Sequence, residues 1–169
     1  MKIMSKKVTV YSFMLAAALC FSYIEAILPF DFIAPGVKPG LANCVVLLFI
    51  FTEHKKAAFF INICRVLLSC LLFSGALSLA YALCGAIISF IIMLFAIKIK
   101  VFGTVGISIL GAVAHNTAQC IVARFIFDNG GIFYYLPILV LCGVVCGAIT
   151  GICSEMLLKN KNIQKFLKV

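Results

Sequence analysis

Six apolar runs dominate the chain, at about residues 8–28, 41–52, 57–75, 77–97, 104–127 and 132–158. A helix needs roughly 20 apolar residues to cross the hydrocarbon of a bilayer. Five of the runs meet or approach that length. The run at 41–52 is short, and reads as a span that begins within the preceding loop or tilts little. The gaps are too brief to hold a soluble domain. The expectation is therefore an all-α membrane protein: one bundle of six transmembrane helices formed by residues 1–169. Composition agrees, because hydrophobic residues make up 65% and charged residues 11%. A soluble domain lies nearer half and a quarter. Mean hydropathy is +1.25.

The placement of the positive charges sets an orientation. Lys2, Lys6 and Lys7 precede the first run, Lys55 and Lys56 follow the second, Lys98 and Lys100 follow the fourth, and Lys159, Lys161, Lys165 and Lys168 follow the sixth. With six spans, all of these fall on one side and only Lys38 falls in a loop on the other. Cytoplasmic flanks of membrane helices carry the excess of lysine and arginine, so both termini are expected inside. The net charge of +9 thus describes membrane orientation. Nucleic-acid binding would group basic residues with exposed aromatics, and no such grouping occurs.

Polar residues within the runs are the candidates for function. The run at 104–127 carries His115, Asn116 and Gln119 near its middle, and Arg124 further on. Such groups are costly in hydrocarbon and face a partner, a cavity or a ligand. His115 and Gln119, four apart, share a helical face. The third run contains Asn62 and Arg65; Arg65 needs either a counter-charge, for which Glu25 is available, or a polar cavity. Asn43 stands at the outer end of the second run. Residues 29–40, PFDFIAPGVKPG, form a proline- and glycine-punctuated outer loop containing Lys38, read either as a solvated connection or as a lid. Tyr134 lies near the outer end of the sixth run and also suits an interfacial aromatic belt. Lys38, Asn43, Arg65, His115, Asn116, Gln119 and Tyr134 together suit an anionic or polar small molecule entering from outside.

Ser12, Ala16 and Cys20 form a small-residue row on the first run, and Gly143, Gly147 and Gly151 form another on the sixth. Rows of this kind let helices approach closely, within the bundle or between subunits. The nine cysteines lie in or at the ends of apolar runs without a CxxC pair, so neither a disulfide framework nor a metal site is expected. The five carboxylates are scattered, and no P-loop, Gly-x-Ser-x-Gly elbow or aspartate-rich diphosphate motif is present. The chain is read as a non-enzyme that needs no cofactor. It also lacks the mid-membrane acid of a proton-coupled carrier and the inverted repeats of many secondary carriers.

Three motifs carry a family resemblance. Residues 35–43, PGVKPGLAN, resemble a PGVKLGLAN signature with Pro39 in place of leucine; residues 111–119, GAVAHNTAQ, resemble GAVAHNLGQ; residues 134–137 read YYLP. Together they resemble the Gx transporter family, labelled heptaprenyl diphosphate synthase component I. The resemblance implies a fold like the six-helix S components of energy-coupling factor (ECF) transporters, which bind vitamins or precursors from outside. It implies a multi-pass protein of the bacterial cell membrane. A T protein and two cytoplasmic ATPases would be its partners, docked through the row Ser12, Ala16 and Cys20 where S components carry an Ala-xxx-Ala row. The family label implies a quinone or isoprenoid precursor as substrate. Two other readings stay open: a membrane accessory subunit of a polyprenyl (heptaprenyl) diphosphate synthase, and a scaffold in which the polar residues only join helices.

Overall fold

The computed structural model describes residues 2–28, 40–52 and 54–167, with the side chains of residues 2–5, 76 and 77 left aside. All regular structure among the described residues is helical. In chain order it comprises α1 (Lys2–Ile27), α2 (Leu41–Phe51), α3 (Lys55–Ser69) with a π-helical extension (Cys70–Ser74), α4 (Ala76–Ile99), α5 (Thr104–Phe127), a 3-10 turn (Gly130–Tyr135), α6 (Leu136–Lys159) and α7 (Lys161–Leu167). Among the described residues five helices are long and apolar enough to cross a membrane: α1, α3 with its extension, α4, α5 and α6. The chain is thus a helical, multi-pass membrane protein.

The expected second span takes a different form. α2 has 11 residues, and at 1.5 Å per residue it extends about 16 Å, half of a bilayer core. Its sequence, LANCVVLLFIF, is apolar apart from Asn43, a pattern that suits a helix enclosed by protein or lipid, and here protein encloses it. Every residue from Cys44 to Ile50 is buried, with α1, α3 and α6 as neighbours. Val46, Leu47 and Phe49 have no exposed surface. They form the main core with Val10 and Met14 of α1, Ala58 and Ile61 of α3, Phe90 and Met93 of α4, and Leu167 of α7.

The basic flanks gather at one end of this bundle. Tyr11 lies edge-on to His54, 6.2 Å between ring centres, which places the start of α1 beside the α2–α3 turn. Phe13 meets Phe166 of α7 at 5.7 Å. Lys7, Lys55 and Lys165 therefore belong to neighbouring chain ends. At the far ends, Tyr23 of α1 meets Phe73 at 5.1 Å. There the π turn closes on Gly75, whose N–H reaches the Cys70 carbonyl at 2.8 Å. Gly75 has φ of 80°, a conformation side chains disfavour, and it separates α3 from α4 where the sequence places a boundary.

α1 presents two stripes. Val10, Met14, Ala18 and Ser22 are buried; Ser12, Ala16 and Cys20 are exposed. The stripes are offset by two residues, about 200° around a helix, so they lie on opposite faces.

Candidate functional site

α5 is held between α4 and α6, and glycines set how closely. On the α6 side, a Cβ added to Gly147 would come within 2.7 Å of Ile109 Cα, and one on Gly151 within 2.7 Å of Val105 Cα. The bare glycines let the two backbones touch. Within this seam Ser108 and Thr150 share a hydrogen bond of 3.0 Å, and further along α5 Asn116 Nδ2 donates to the Leu139 carbonyl at 2.9 Å. On the α4 side, Gly85 leaves room for side chains: a Cβ there would lie 2.8 Å from Gln119 Cγ and 3.1 Å from the His115 ring. The polar face of α5 thus rests on a missing side chain of α4.

Beside this contact lies a polar cavity of about 50 Å³. Its lining includes Glu25, Asn43, Asn62, Arg65, His115 and Asn116, with Ser89 and Thr150. Four of the seven residues expected from sequence, Asn43, Arg65, His115 and Asn116, are brought together here from α2, α3 and α5. Arg65 is fixed through α4. Asn62 Nδ2 donates to the Ala86 carbonyl at 3.2 Å, and Arg65 Nη2 donates to Asn62 Oδ1 at 2.8 Å. Arg65 Nε and Ser89 Oγ are buried without a hydrogen-bond partner. Buried polar atoms in native proteins are almost always satisfied by protein, water or ligand, so these two orphans leave a place in the cavity for a polar partner, water included.

Glu25 stands at the other charged position of this lining. It is 7% exposed, and its Oε1 accepts from Ala42 N at 3.4 Å, in the first turn of α2. A carboxylate at a helix N-terminus complements the free N–H groups and the helix dipole. Arg124–Asp128 (3.0 Å) and Lys159–Glu155 (2.7 Å) form ion pairs away from this lining. Arg124 is thereby explained as a surface pair at the end of α5, apart from the cavity.

A second cavity, about 310 Å³ and mostly apolar, adjoins the first. Tyr81, Cys120, Ala123, Phe127, Tyr135 and Leu139 help to line it, with Gln119. Asn116 lines both cavities. Tyr134 lies apart, 86% exposed and lining neither, whereas its neighbour Tyr135 lines the second. Lys38 lies outside the described residues. Sequence reasoning left Thr150 within an ordinary apolar run, read Ser89 only as part of a polar helix face, and treated Glu25 only as a counter-charge. The signal for Ser89 was present in the small, polar face Ser78, Tyr81, Gly85, Ser89 of α4.

A family model described as Heptaprenyl diphosphate synthase component I matches residues 14–157. No curated protein and no solved structure matches the chain.

Proposed function

Because the chain belongs to the heptaprenyl diphosphate synthase component I family, a Gx transporter-like family, we propose that it is the substrate-binding membrane subunit of an ECF-type importer. It captures a small molecule from outside, catalyses no reaction itself, and resides in the bacterial cell membrane with both termini in the cytoplasm. α2 serves as the remaining, half-length span. The clustering of the lysine-bearing ends supports that orientation.

The observation that carries this reading is the polar cavity. Asn43, Arg65, His115 and Asn116 converge on it, and the buried Arg65 Nε and Ser89 Oγ lack partners there. Gln119 contributes from the adjoining cavity, and Lys38 and Tyr134 are assigned to the approach from outside. Ser12, Ala16 and Cys20, exposed on the lipid-facing side of α1, are the surface for a T protein that couples to two cytoplasmic ATPases. Small residues there permit the close helix approach such docking needs.

The test is native mass spectrometry of the chain purified in mild detergent from its own membrane. A retained small molecule, lost from an Arg65→Ala, His115→Ala double variant that still folds, is the expected result. The family's description favours a second reading, an accessory membrane subunit of a heptaprenyl diphosphate synthase. Under that reading the purified chain carries a soluble synthase and no small molecule.

A further inference from the structure

The basic end of the bundle carries a feature independent of the polar cavity. Between the start of α3 and the end of α4 lies a groove of about 330 Å³, lined by Lys55, Ile91, Leu94, Phe95 and Lys98. Lys55 opens the membrane-crossing length of α3, and Lys98 lies next to Ile99, the end of that of α4. Both lysines therefore stand at headgroup level, and the apolar part of the groove runs from them toward the membrane interior.

Each group has a local reason for its place. On α4, Ile91, Leu94, Phe95 and Lys98 follow at steps of three and four, so they form one stripe on one face. Lys98 Nζ lies 5.8 Å from the centre of the Phe95 ring, a cation–π contact that holds the ammonium at the mouth of the groove. One turn beyond Lys55, Phe59 of α3 meets Phe90 of α4 at 5.4 Å and joins the two helices. Lys56, about 100° further round α3, lines a different groove with Tyr11 of α1. Ile91 and Phe95 are 44% and 59% exposed, so the groove opens on the outer surface of the bundle.

Charge selects the occupant. Among the described residues no carboxylate lines the groove. The flanks at this end carry eleven lysines against two carboxylates, Glu53 and Glu155. Glu155 is paired with Lys159 at 2.7 Å. Glu53 lies outside the described residues, and its pairing with any one lysine would leave the excess standing. The first turn of α3 adds the positive end of a helix dipole beside Lys55. A matching ligand has a compact anion at headgroup level and hydrocarbon beneath it. A soluble phosphate lacks the hydrocarbon, and a zwitterionic phospholipid brings its own cation to the lysines.

We propose that the α3–α4 groove binds an anionic phospholipid, its phosphate between Lys55 and Lys98 and an acyl chain along Ile91, Leu94 and Phe95. The lipid bridges α3 and α4 at the end opposite Gly75, where the chain itself joins them. The site holds whether the chain is an importer's binding subunit or a synthase subunit.

The test titrates the purified chain, in a neutral detergent, with phosphatidylglycerol and phosphatidylcholine of identical acyl chains, read by native mass spectrometry. Phosphatidylglycerol should bind about tenfold more tightly or better. A Lys55→Gln, Lys98→Gln double variant should lose most of that preference. A Lys161→Gln, Lys165→Gln double variant, which removes the same charge from α7 outside the groove, should keep it. Glycerol phosphate at equal concentration should leave the lipid in place. In native membranes, benzoylphenylalanine substituted for Ile91 should crosslink to lipid. Equal binding of the two lipids, or equal losses in the two double variants, overturns the inference. Displacement by glycerol phosphate would make this a site for soluble anions, and a protein adduct at position 91 would make it a protein interface; either sinks the proposal. If the groove variant fails to fold, the lipid preference of the native chain and the crosslink decide.

Discussion

α5 meets its two neighbours through glycine in opposite ways. Against α6 the glycines belong to the partner and admit the α5 backbone itself, with Gly147 and Gly151 each 2.7 Å in prospective Cβ distance from a Cα atom. Against α4 the glycines admit side chains instead: Gly85 of α4 makes room for His115 and Gln119, and Gly111 of α5 makes room for Met93. The first seam has no room to change. The second holds flexible polar groups beside a cavity. The same residue type builds a rigid wall on one side and a place for chemistry on the other. What distinguishes them is whether backbone or side chain fills the vacated space.

Three substitutions would break or sharpen this contrast. Gly147→Ala should have the largest effect on stability. Its Cβ meets Ile109 Cα, which cannot swing aside, and overpacking of this kind costs about 1–3 kcal/mol. Thermal unfolding in mild detergent should show a clear drop, and a native-like midpoint would mean the seam is looser than described. Gly85→Ala should destabilise less, since Gln119 Cγ and the His115 ring can rotate away. It should instead cost about tenfold in ligand affinity, about 1.4 kcal/mol, because it displaces the polar face of α5. Equal losses of stability in both variants would erase the distinction between the seams. Ser108→Ala should be the mildest. It removes the 3.0 Å bond to Thr150, which keeps its bond to the Cys146 carbonyl. Side-chain bonds between membrane helices average about 0.6 kcal/mol, so a small midpoint shift with unchanged ligand retention is expected.

Much of the bundle was legible because hydrocarbon imposes a length and a charge rule that sequence displays directly. Five spans fell where run lengths placed them, and Gly75 divided two of them. α2 falls where the short second run placed it, but the enclosure of Cys44 to Ile50 by protein is a property that a linear apolar run does not reveal. At the site, His115 and Asn116 stood out because polar residues inside a membrane helix are rare. Ser89 and Thr150 did not, because small hydroxyls can satisfy themselves on their own helix, as Thr150 does with the Cys146 carbonyl. Glu25 looked like a plain counter-ion to Arg65. Its place at the start of α2 arises from a packing of α1 on α2 that no local pattern encodes. Tyr134 and Tyr135 are adjacent and alike, and only the turn of the 3-10 segment decides which faces the apolar cavity.

The half-length of α2 has a consequence for traffic. The helix fills one half of the bundle with close-packed apolar side chains, sealed at the basic end by Leu167 and the ends of α1 and α3. The polar cavity begins where α2 begins. Among the described residues the molecule is therefore a blind well with a solid floor. Cargo lowered into it cannot drain through the bottom without unstacking Val46, Leu47 and Phe49 from their neighbours. On the binding-subunit proposal, delivery to the far side would need the well to move as a body, because its floor offers no passage.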